Sequence, residues 1–214
     1  MDVSKLKPDY TFKYIIIGNA FVGKSNIIYR FTEGKFAENY KATINLDFSF
    51  KNMKIGDKIY RVQLWDTVGQ EEFKSISRGY YKNGVCALVV YDITDRESFN
   101  NVSTWVDECR KYGPSTISLV LVGNKIDLED NRKIAFEEGE EFAEKNEMQF
   151  FETSALSGKN IDKLFNDTVE SIIKKMESGY YKGDDCGIEV NTKNAKTELK
   201  NSPGQKKKKC CEII

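Results

Sequence analysis

The stretch GNAFVGKS at residues 18–25 constrains the fold of this chain more than any other feature. It follows an apolar run at residues 12–17 that contains three consecutive isoleucines, which predicts a buried strand. A helix is predicted directly after the turn, from Lys24 to about Thr32. A glycine-bounded turn between a buried strand and a helix is typical of a parallel sheet covered by helices.

The same alternation of strand and helix continues along the chain. Further strands are predicted at residues 46–53, 58–65, 85–91 and 117–122. Two amphipathic stripes, beginning at Phe99 and Ile161, predict helices whose apolar faces cover the sheet. Ligands of such folds bind at the carboxyl ends of the strands, where each motif described below lies.

The turn at residues 18–25 matches the pattern G-x-x-x-x-G-K-[ST], in which backbone N–H groups wrap around phosphate oxygens. The helix that follows adds a dipole that favours an anion. We expect Lys24 to neutralise the outer phosphates and Ser25 to ligate Mg²⁺. A purely structural glycine turn is the alternative.

Two later motifs also follow predicted strands. Asp66 opens a D-x-x-G sequence that ends at Gly69; the carboxylate can hold the Mg²⁺ shell, and the glycine N–H can contact the terminal phosphate. Asn124, Lys125 and Asp127 follow a third apolar strand, where Asn124 can tie loops together and Lys125 can lie over a base. Asp127 can accept the N1–H and the exocyclic amine of guanine, whereas adenine leaves the carboxylate unpaired. The motif therefore predicts selection of guanine.

Composition excludes several classes of function. Lysine plus arginine and aspartate plus glutamate both total 33, so net charge gives no reason to expect a nucleic-acid partner. The chain has no histidine, so hydrolysis must proceed without the commonest catalytic base. Cys86 and Cys109 lie in apolar patterns and are predicted core residues of a protein kept in a reducing cytosol. No apolar run approaches the roughly 18 residues of a membrane span.

The three motifs, in this order, resemble the Ras-like small GTPases from about Lys13 to Met176. The segments INLDF (44–48), KIYRVQLWDT (58–67), GQEEF (69–73) and GYYKNGV (79–85) resemble the Rab branch in particular. The resemblance implies an α/β fold, that of a P-loop NTPase with a doubly wound, mostly parallel six-stranded sheet flanked by about five helices. It also implies slow GTP hydrolysis that an activating protein accelerates.

The resemblance assigns roles to single residues. Gln70 matches the glutamine that positions the attacking water, and is the implied catalytic residue. Thr43 joins Ser25 and Asp66 as an implied Mg²⁺ ligand. The implied contacts to GTP or GDP are Gly18, Asn19, Ala20, Phe21, Val22, Gly23, Lys24, Ser25, Asn26, Phe36, Tyr40, Thr43, Gly69, Asn124, Lys125, Asp127, Leu128, Ser154, Ala155 and Leu156. Among these, Phe36 matches the aromatic beside the base and Tyr40 the tyrosine that covers the phosphates.

Phe48, Trp65 and Tyr80 match the aromatic triad through which Rab proteins meet effectors. The alternative is that the three rings simply pack in the core, but exposed aromatic clusters tend to be binding sites. The other implied partners are an exchange factor, a GTPase-activating protein, a GDP-dissociation inhibitor and a prenylation escort. The chain is expected to act as a monomer.

The chain divides into a leader (1–10), a G domain (11–177) and a flexible hypervariable tail (178–214), because apolar periodicity stops at about residue 178. Cys210 and Cys211 follow four lysines and resemble the Rab prenylation site, and the last four residues also satisfy C-a-a-X. Two geranylgeranyl chains would hold the protein on a membrane. The implied protein regulates vesicle traffic at the cytoplasmic face of an intracellular membrane and has a cytosolic pool. A solvated basic tail is the alternative.

Other functions remain open at this point. Phe21 and Val68 replace small residues of the family near the phosphates, which motivates a GTP-binding module with impaired hydrolysis. A P-loop ATPase or nucleotide kinase is a second alternative, and it conflicts with Asp127. A Ras- or Rho-type switch is a third, against which the paired cysteines and the GYYKNGV segment argue.

Overall fold

One mixed sheet organises the computed structural model, which describes residues 3–36, 47–66, 79–181 and 187–191. Its strands are β1 (Tyr10–Ile17), β2 (Asp47–Ile55), β3 (Lys58–Asp66), β4 (Cys86–Asp92), β5 (Ser118–Asn124), β6 (Gln149–Thr153) and β7 (Ile188–Val190). Their spatial order is β2-β3-β1-β4-β5-β6, with β7 also paired to β1. The pairs β2–β3 and β1–β7 are antiparallel, and the other pairs are parallel.

Helices connect the parallel strands and cover the sheet. They are α1 (Lys24–Glu33), α2 (Arg96–Asn100), α3 (Val102–Tyr112), α4 (Phe136–Lys145) and α5 (Ile161–Glu177). The predicted α/β class, the mostly parallel sheet and the flanking helices are confirmed. In the described ranges, no helix combines the length and the apolar character that crossing a bilayer requires.

Alternation along β1 divides the core into two layers, because successive side chains of a strand point to opposite faces. Phe12, Tyr14 and Ile16 belong to a cluster that includes residues of α1 and α5. Ile15 and Ile17 belong to a second cluster that includes residues of α2, α3 and α4. Burying each such aliphatic side chain contributes about 1.5–3 kcal/mol, so the strand that precedes the glycine turn is held from both faces.

Cys86 and Cys109 pack in this core, as predicted. Cys86 lies in the α1–α5 layer and Cys109 in the α3 layer, and both are fully buried. Burial raises the pKa of both thiols above their usual range.

The leader is attached to the sheet edge. The Asn52 amide of β2 donates to the carbonyls of Val3, Ser4 and Leu6, and Asn52 is buried. Strand β1 begins at Tyr10, earlier than the apolar run predicts. Tyr10 pairs there with Tyr60 of β3, and the two rings stack with centroids 5.3 Å apart. The sheet therefore includes Tyr10, the last residue of the predicted leader.

The tail departs from the expectation that structure ends near residue 178. Residues 188–190 form β7, and Phe12 of β1 pairs with Ile188. The N–H of Lys13 donates to Gly187 at 3.2 Å, and that of Asn191 donates to Asp9 at 2.9 Å. The expectation of a wholly unstructured tail is therefore wrong for this segment. Ile188 packs against the α1–α5 core layer, but three residues are too few to show an apolar period from which a strand could be predicted.

Candidate functional site

The predicted motifs meet at one edge of the sheet. Asp66 ends β3, Gly18 follows β1, Asp92 ends β4, Asn124 ends β5 and Ser154 follows β6. These strands are neighbours in the order β3-β1-β4-β5-β6 and run parallel, so their carboxyl ends lie side by side. The edge is where a doubly wound sheet binds its ligand.

The turn between β1 and α1 depends on its glycines. Gly18 has φ 139° and Gly23 has φ 97°, values that side-chain-bearing residues rarely adopt. A Cβ on Gly18 would lie 2.1 Å from the Val90 carbonyl oxygen, and one on Gly23 would lie 2.4 Å from the Asn124 amide nitrogen. The backbone of the turn is thus packed directly against the ends of β4 and β5. Phe21 also has a positive φ, 63°, and its side chain is 75% exposed.

Lys24 is the buried cation of the turn. It is 6% exposed, and its ammonium donates to the carbonyls of Gly18 at 2.8 Å and Asn19 at 2.6 Å. Burial lowers the pKa of Lys24 to about 8, and the negative charge of Asp66 opposes that shift. An anion in the turn would favour the charged lysine in the same way.

Ser25 and Asp66 bring a hydroxyl and a carboxylate together. The Ser25 hydroxyl donates to Asp66 Oδ2, and Asp66 is buried at the end of β3. Oxygen donors of this kind are the ligands that Mg²⁺ prefers, so the pair fits the predicted metal site. The third predicted ligand, Thr43, lies outside the described residues.

The Asn124 side chain joins the turn to the loop after β6. Its Nδ2 donates to the Val22 carbonyl at 2.9 Å. Its Oδ1 accepts from the Thr153 hydroxyl and from the Ala155 N–H, both at 3.2 Å. Asn124 is 1% exposed, so these bonds are shielded from water and fix the spacing of the two segments.

Two acidic residues, Asp92 and Asp127, lie at the part of the site beyond Asn124 from the turn. Asp127 lies on an exposed 3₁₀ turn, Ile126–Asn131, and its Oδ1 accepts from the buried hydroxyl of Ser154. Lys125 has φ 72° and its ammonium lies 2.6 Å from Asp92 Oδ2. The exposed carboxylate of Asp127 can therefore meet a planar hydrogen-bonding edge.

The remaining candidate residues within the described ranges differ in how exposed their side chains are. Phe36 is half-buried and packs against the α1–α5 core layer. Leu128 and Leu156 are 40% and 49% exposed. Ala20 and Asn26 are half-buried in and after the turn. Six predicted site residues lie outside the described ranges: Tyr40, Thr43, Gly69 and Gln70 at the nucleotide, and the predicted lipidation sites Cys210 and Cys211.

Sequence reasoning missed several residues that build the site. The indole N–H of Trp105 donates to Asn19 Oδ1 at 2.9 Å, although the amphipathic stripe of α3 indicates only core packing. Asp92 holds Lys125, and its other oxygen accepts from Thr94. Arg30 of α1 donates to the loop after β6. The bonds of Trp105 to Asn19, of Lys125 to Asp92 and of Arg30 to Ala155 each join residues far apart in sequence, so no local pattern marks them.

The predicted aromatic triad forms one cluster at the β2–β3 ribbon. Ring centroids of Phe48 and Trp65 are 5.4 Å apart, and those of Trp65 and Tyr80 are 6.3 Å apart. Phe48 is 47% exposed, and the other two side chains are half-buried. The cluster is therefore accessible at the surface rather than enclosed in either core layer.

The sequence is similar to a known protein family along most of its length. The sequence model of the Ras family matches residues 13–174. Ras-related protein Rab-2B of Dictyostelium discoideum is 47% identical over 170 residues, covering 79% of this chain and 84% of the relative. Ras-related protein Rab-4A of Mus musculus is 40% identical over 195 residues, covering 91% and 89%. Rab-4B of Homo sapiens is 40% identical over 171 residues, covering 80% of each chain.

The family model extends over all three motifs, most of β1 and strands β2 to β6. They decide between the functions that the sequence left open, since the members of this family are GTP hydrolases and no finding favours impaired hydrolysis. The chain belongs to the Ras superfamily of small GTPases, as a Rab-type member that hydrolyses GTP.

Proposed function

We propose that GTP and GDP bind along the carboxyl edge of the sheet, with phosphates in the turn at residues 18–25 and guanine against Asp127. The position of Asn124 carries the proposal, because its amide bonds both Val22 of the turn and Ala155 of the loop after β6. One side chain thereby sets the distance between the backbone that wraps phosphate and the loop that meets the base. A nucleotide occupies both ends at once.

The base end recognises guanine through hydrogen bonds. Asp127 accepts the N1–H and the exocyclic amine, while the Ser154 hydroxyl holds the carboxylate in place. Adenine presents no such pair of donors and would leave the acceptor sites of the carboxylate that face the base unpaired. Backbone N–H groups of residues 154–156 donate to the guanine oxygen, with the Ala155 N–H shared between that oxygen and Asn124 Oδ1 in a three-centre bond.

The phosphate end works by charge and shape. Lys24 exchanges its bonds to the carbonyls of Gly18 and Asn19 for bonds to phosphate oxygens. Ser25, Asp66 and Thr43 hold Mg²⁺, which when bound neutralises charge on the phosphates. Contacts of Thr43 and Gly69 with the terminal phosphate order two loops, and loss of that phosphate releases them.

Gln70 positions the attacking water in this proposal, and single-turnover hydrolysis tests that role. The full-length protein should convert bound GTP on the order of 10⁻⁴ to 10⁻² per second without an activating protein. Gln70→Leu should slow the reaction at least about tenfold, because the water loses its orienting partner. The matched change Gln149→Leu, at an exposed position at the start of β6, should leave the rate unaltered. An unchanged rate in Gln70→Leu removes Gln70 from the mechanism.

The GTP state recruits effectors through the surface of Phe48, Trp65 and Tyr80, and in this way the protein regulates vesicle-mediated membrane traffic. The exposure of Phe48 and its edge-on contact with Trp65 support a binding surface at this place. An exchange factor and a GTPase-activating protein set the nucleotide state. A GDP-dissociation inhibitor and a prenylation escort handle the lipidated tail.

Geranylgeranyl chains on Cys210 and Cys211 anchor the protein to the cytoplasmic face of an intracellular membrane. Four preceding lysines add attraction to anionic lipid, about 1 kcal/mol each near the surface. One chain gives marginal binding and two give stable anchoring, so single and double variants should differ. Cys210→Ser and Cys211→Ser should each shift part of the protein to the soluble fraction of cells, and the double variant all of it. Membrane retention of the double variant contradicts the anchor.

A further inference from the structure

Arg30 lies outside every nucleotide motif, yet it contacts the loop proposed to meet the base. It is half-buried on α1, between the turn and the helix end at Glu33. Its Nε donates to the Ala155 carbonyl at 2.8 Å and its Nη1 to the Gly34 carbonyl at 2.9 Å. Its Nη2 donates to the Leu156 carbonyl. Among the described residues, these acceptors are all backbone carbonyls.

Two of these bonds fix the orientation of consecutive peptide planes. The carbonyl of Ala155 shares a planar unit with the N–H of Leu156, and the carbonyl of Leu156 shares one with the N–H of Ser157. In a trans peptide the C=O and N–H point in opposite directions, so both N–H groups are directed away from Arg30. The Ser157 N–H accordingly donates to the Ser154 hydroxyl, which holds Asp127.

The loop is therefore held from two sides. Asn124 accepts the Ala155 N–H at 3.2 Å, while Arg30 donates to the carbonyl of the same residue. The Leu156 side chain is 49% exposed, so apolar burial contributes little to the position of the loop. Hydrogen bonds from a charged donor are the stronger kind, which makes Arg30 a principal support.

The same helix begins with the phosphate contacts. Lys24 and Ser25 form the first turn of α1, and Arg30 lies less than two turns further along it. A single rigid element thus connects the phosphate end of the site to the loop at the base end. Loosening Arg30 would disturb the base loop without touching the turn.

We infer that Arg30 is a positioning residue that holds the loop of residues 154–156 in register with the guanine oxygen, and so slows nucleotide release. The inference rests on the proposed function in one respect, the contact of this loop with guanine. Arg30 itself touches no nucleotide; it acts through the carbonyls of Ala155 and Leu156.

The test measures dissociation of GDP and of 6-thio-GDP from the full-length protein, with Arg30→Met as the variant. Methionine keeps an apolar stem but has no donors. The thio analogue retains the N1–H and the amine that Asp127 reads, and replaces the guanine oxygen by sulfur, a weaker acceptor. Arg110→Met is the matched control, since Arg110 also donates to a backbone carbonyl, that of Asn146 at 3.0 Å, before β6 rather than at the site.

Arg30→Met should release GDP about tenfold faster, equivalent to about 1.4 kcal/mol. Release of 6-thio-GDP should rise much less, so the preference of the protein for GDP over the analogue should shrink. Arg30→Lys, whose single ammonium cannot reach all the carbonyls, should fall between wild type and Arg30→Met. Arg110→Met should match the wild type for both nucleotides.

Two results would overturn the inference, and they are distinguishable. Equal acceleration of both nucleotides in Arg30→Met, at whatever loss of thermal stability, shows that Arg30 only stabilises the fold. A wild-type protein that does not distinguish GDP from 6-thio-GDP refutes the proposed base contact itself. If Arg30→Met proves too unstable to purify, the Arg30→Lys ratio decides in the same way.

Discussion

The phosphate end and the base end of the site are held together by different means. The phosphate end is one contiguous turn whose shape is set by its backbone, since Gly18 and Gly23 have no space for a Cβ. The base end is assembled from three distant segments by hydrogen bonds of Arg30, Asn124 and Ser154. At the phosphate end, adding even one carbon atom to either glycine would cause a steric clash. At the base end, the loss of one hydrogen bond should weaken nucleotide binding only in part.

Gly23→Ala should reduce nucleotide affinity the most, because Gly23 of the turn contacts Asn124, which links the turn to the base end. The added Cβ would lie 2.4 Å from the Asn124 amide, and alanine is strained at φ 97°. GDP affinity should fall about a thousandfold or more, roughly 4 kcal/mol, as measured by equilibrium titration. Gly56→Ala is the control, since its φ is 58° and its Cβ meets nothing within 4 Å. A Gly23→Ala protein that binds GDP normally would show that backbone shape does not govern the turn.

Asp127→Asn should have the next largest effect and should change specificity rather than abolish binding. The amide keeps an acceptor for the Ser154 hydroxyl but replaces one carboxylate acceptor by a donor. GDP should bind about a hundredfold more weakly, roughly 2.7 kcal/mol, and xanthosine diphosphate should gain, because its 2-oxo group accepts from that donor. Asp130→Asn on the same exposed turn should bind like the wild type. Equal losses for both nucleotides would mean that Asp127 does not face the base.

The pKa of Lys24 predicts a pH dependence confined to the phosphate end. With a pKa of about 8, Lys24 loses its proton above that pH, whereas bound phosphates favour the charged form. GDP affinity should therefore be greatest below about pH 8 and fall above it, by up to about tenfold per pH unit. Lys24→Arg, which stays charged, should show a flat profile between about pH 7 and 9. A wild-type profile that is flat over the same range contradicts the shift.

The stability of the protein without nucleotide should respond to pH with the opposite sign. An unfolded lysine keeps its proton up to about 10.5, so the unfolded state binds more protons than the folded state between about pH 8 and 10.5. The contribution of Lys24 to the free energy of unfolding therefore rises with pH across that window. The difference between wild type and Lys24→Arg in denaturant titrations at several pH values isolates this contribution.

Trp105→Phe should have the smallest effect, since it removes one side-chain bond from an end that is otherwise shaped by backbone. Asn19 Oδ1 loses the indole N–H at 2.9 Å, and the ring volume is largely kept. GDP should bind about threefold more weakly, within the net 0.5–1.5 kcal/mol of a hydrogen bond. The other tryptophan gives the control, Trp65→Phe on β3, for which GDP affinity should not change. A loss as large as that of Asp127→Asn would erase the contrast between the two ends.

Strand β1, the turn at residues 18–25 and helix α1 lie where the sequence predicts them, because their determinants are adjacent. The strand, the glycines, Lys24 and the start of α1 follow one another, and local rules for turns and helices suffice. Asp127 is predicted from its chemistry with guanine together with its position after the two earlier motifs. Arg30, Asp92 and Trp105 could not be predicted, because the partners through which they build the site (Ala155, Lys125 and Asn19) lie far away in the chain. Strand β7 was missed for a different reason: its three residues are too few for their side-chain pattern to predict a strand.

The central claim is that the two ends form a single site for a guanine nucleotide, and the nucleotide that copurifies with the full-length protein tests it most directly. Material released by acid from the purified protein can be separated by chromatography and counted against protein. We predict close to one guanine nucleotide per chain, and much less from Gly23→Ala. Adenine nucleotide at the same stoichiometry would contradict the account.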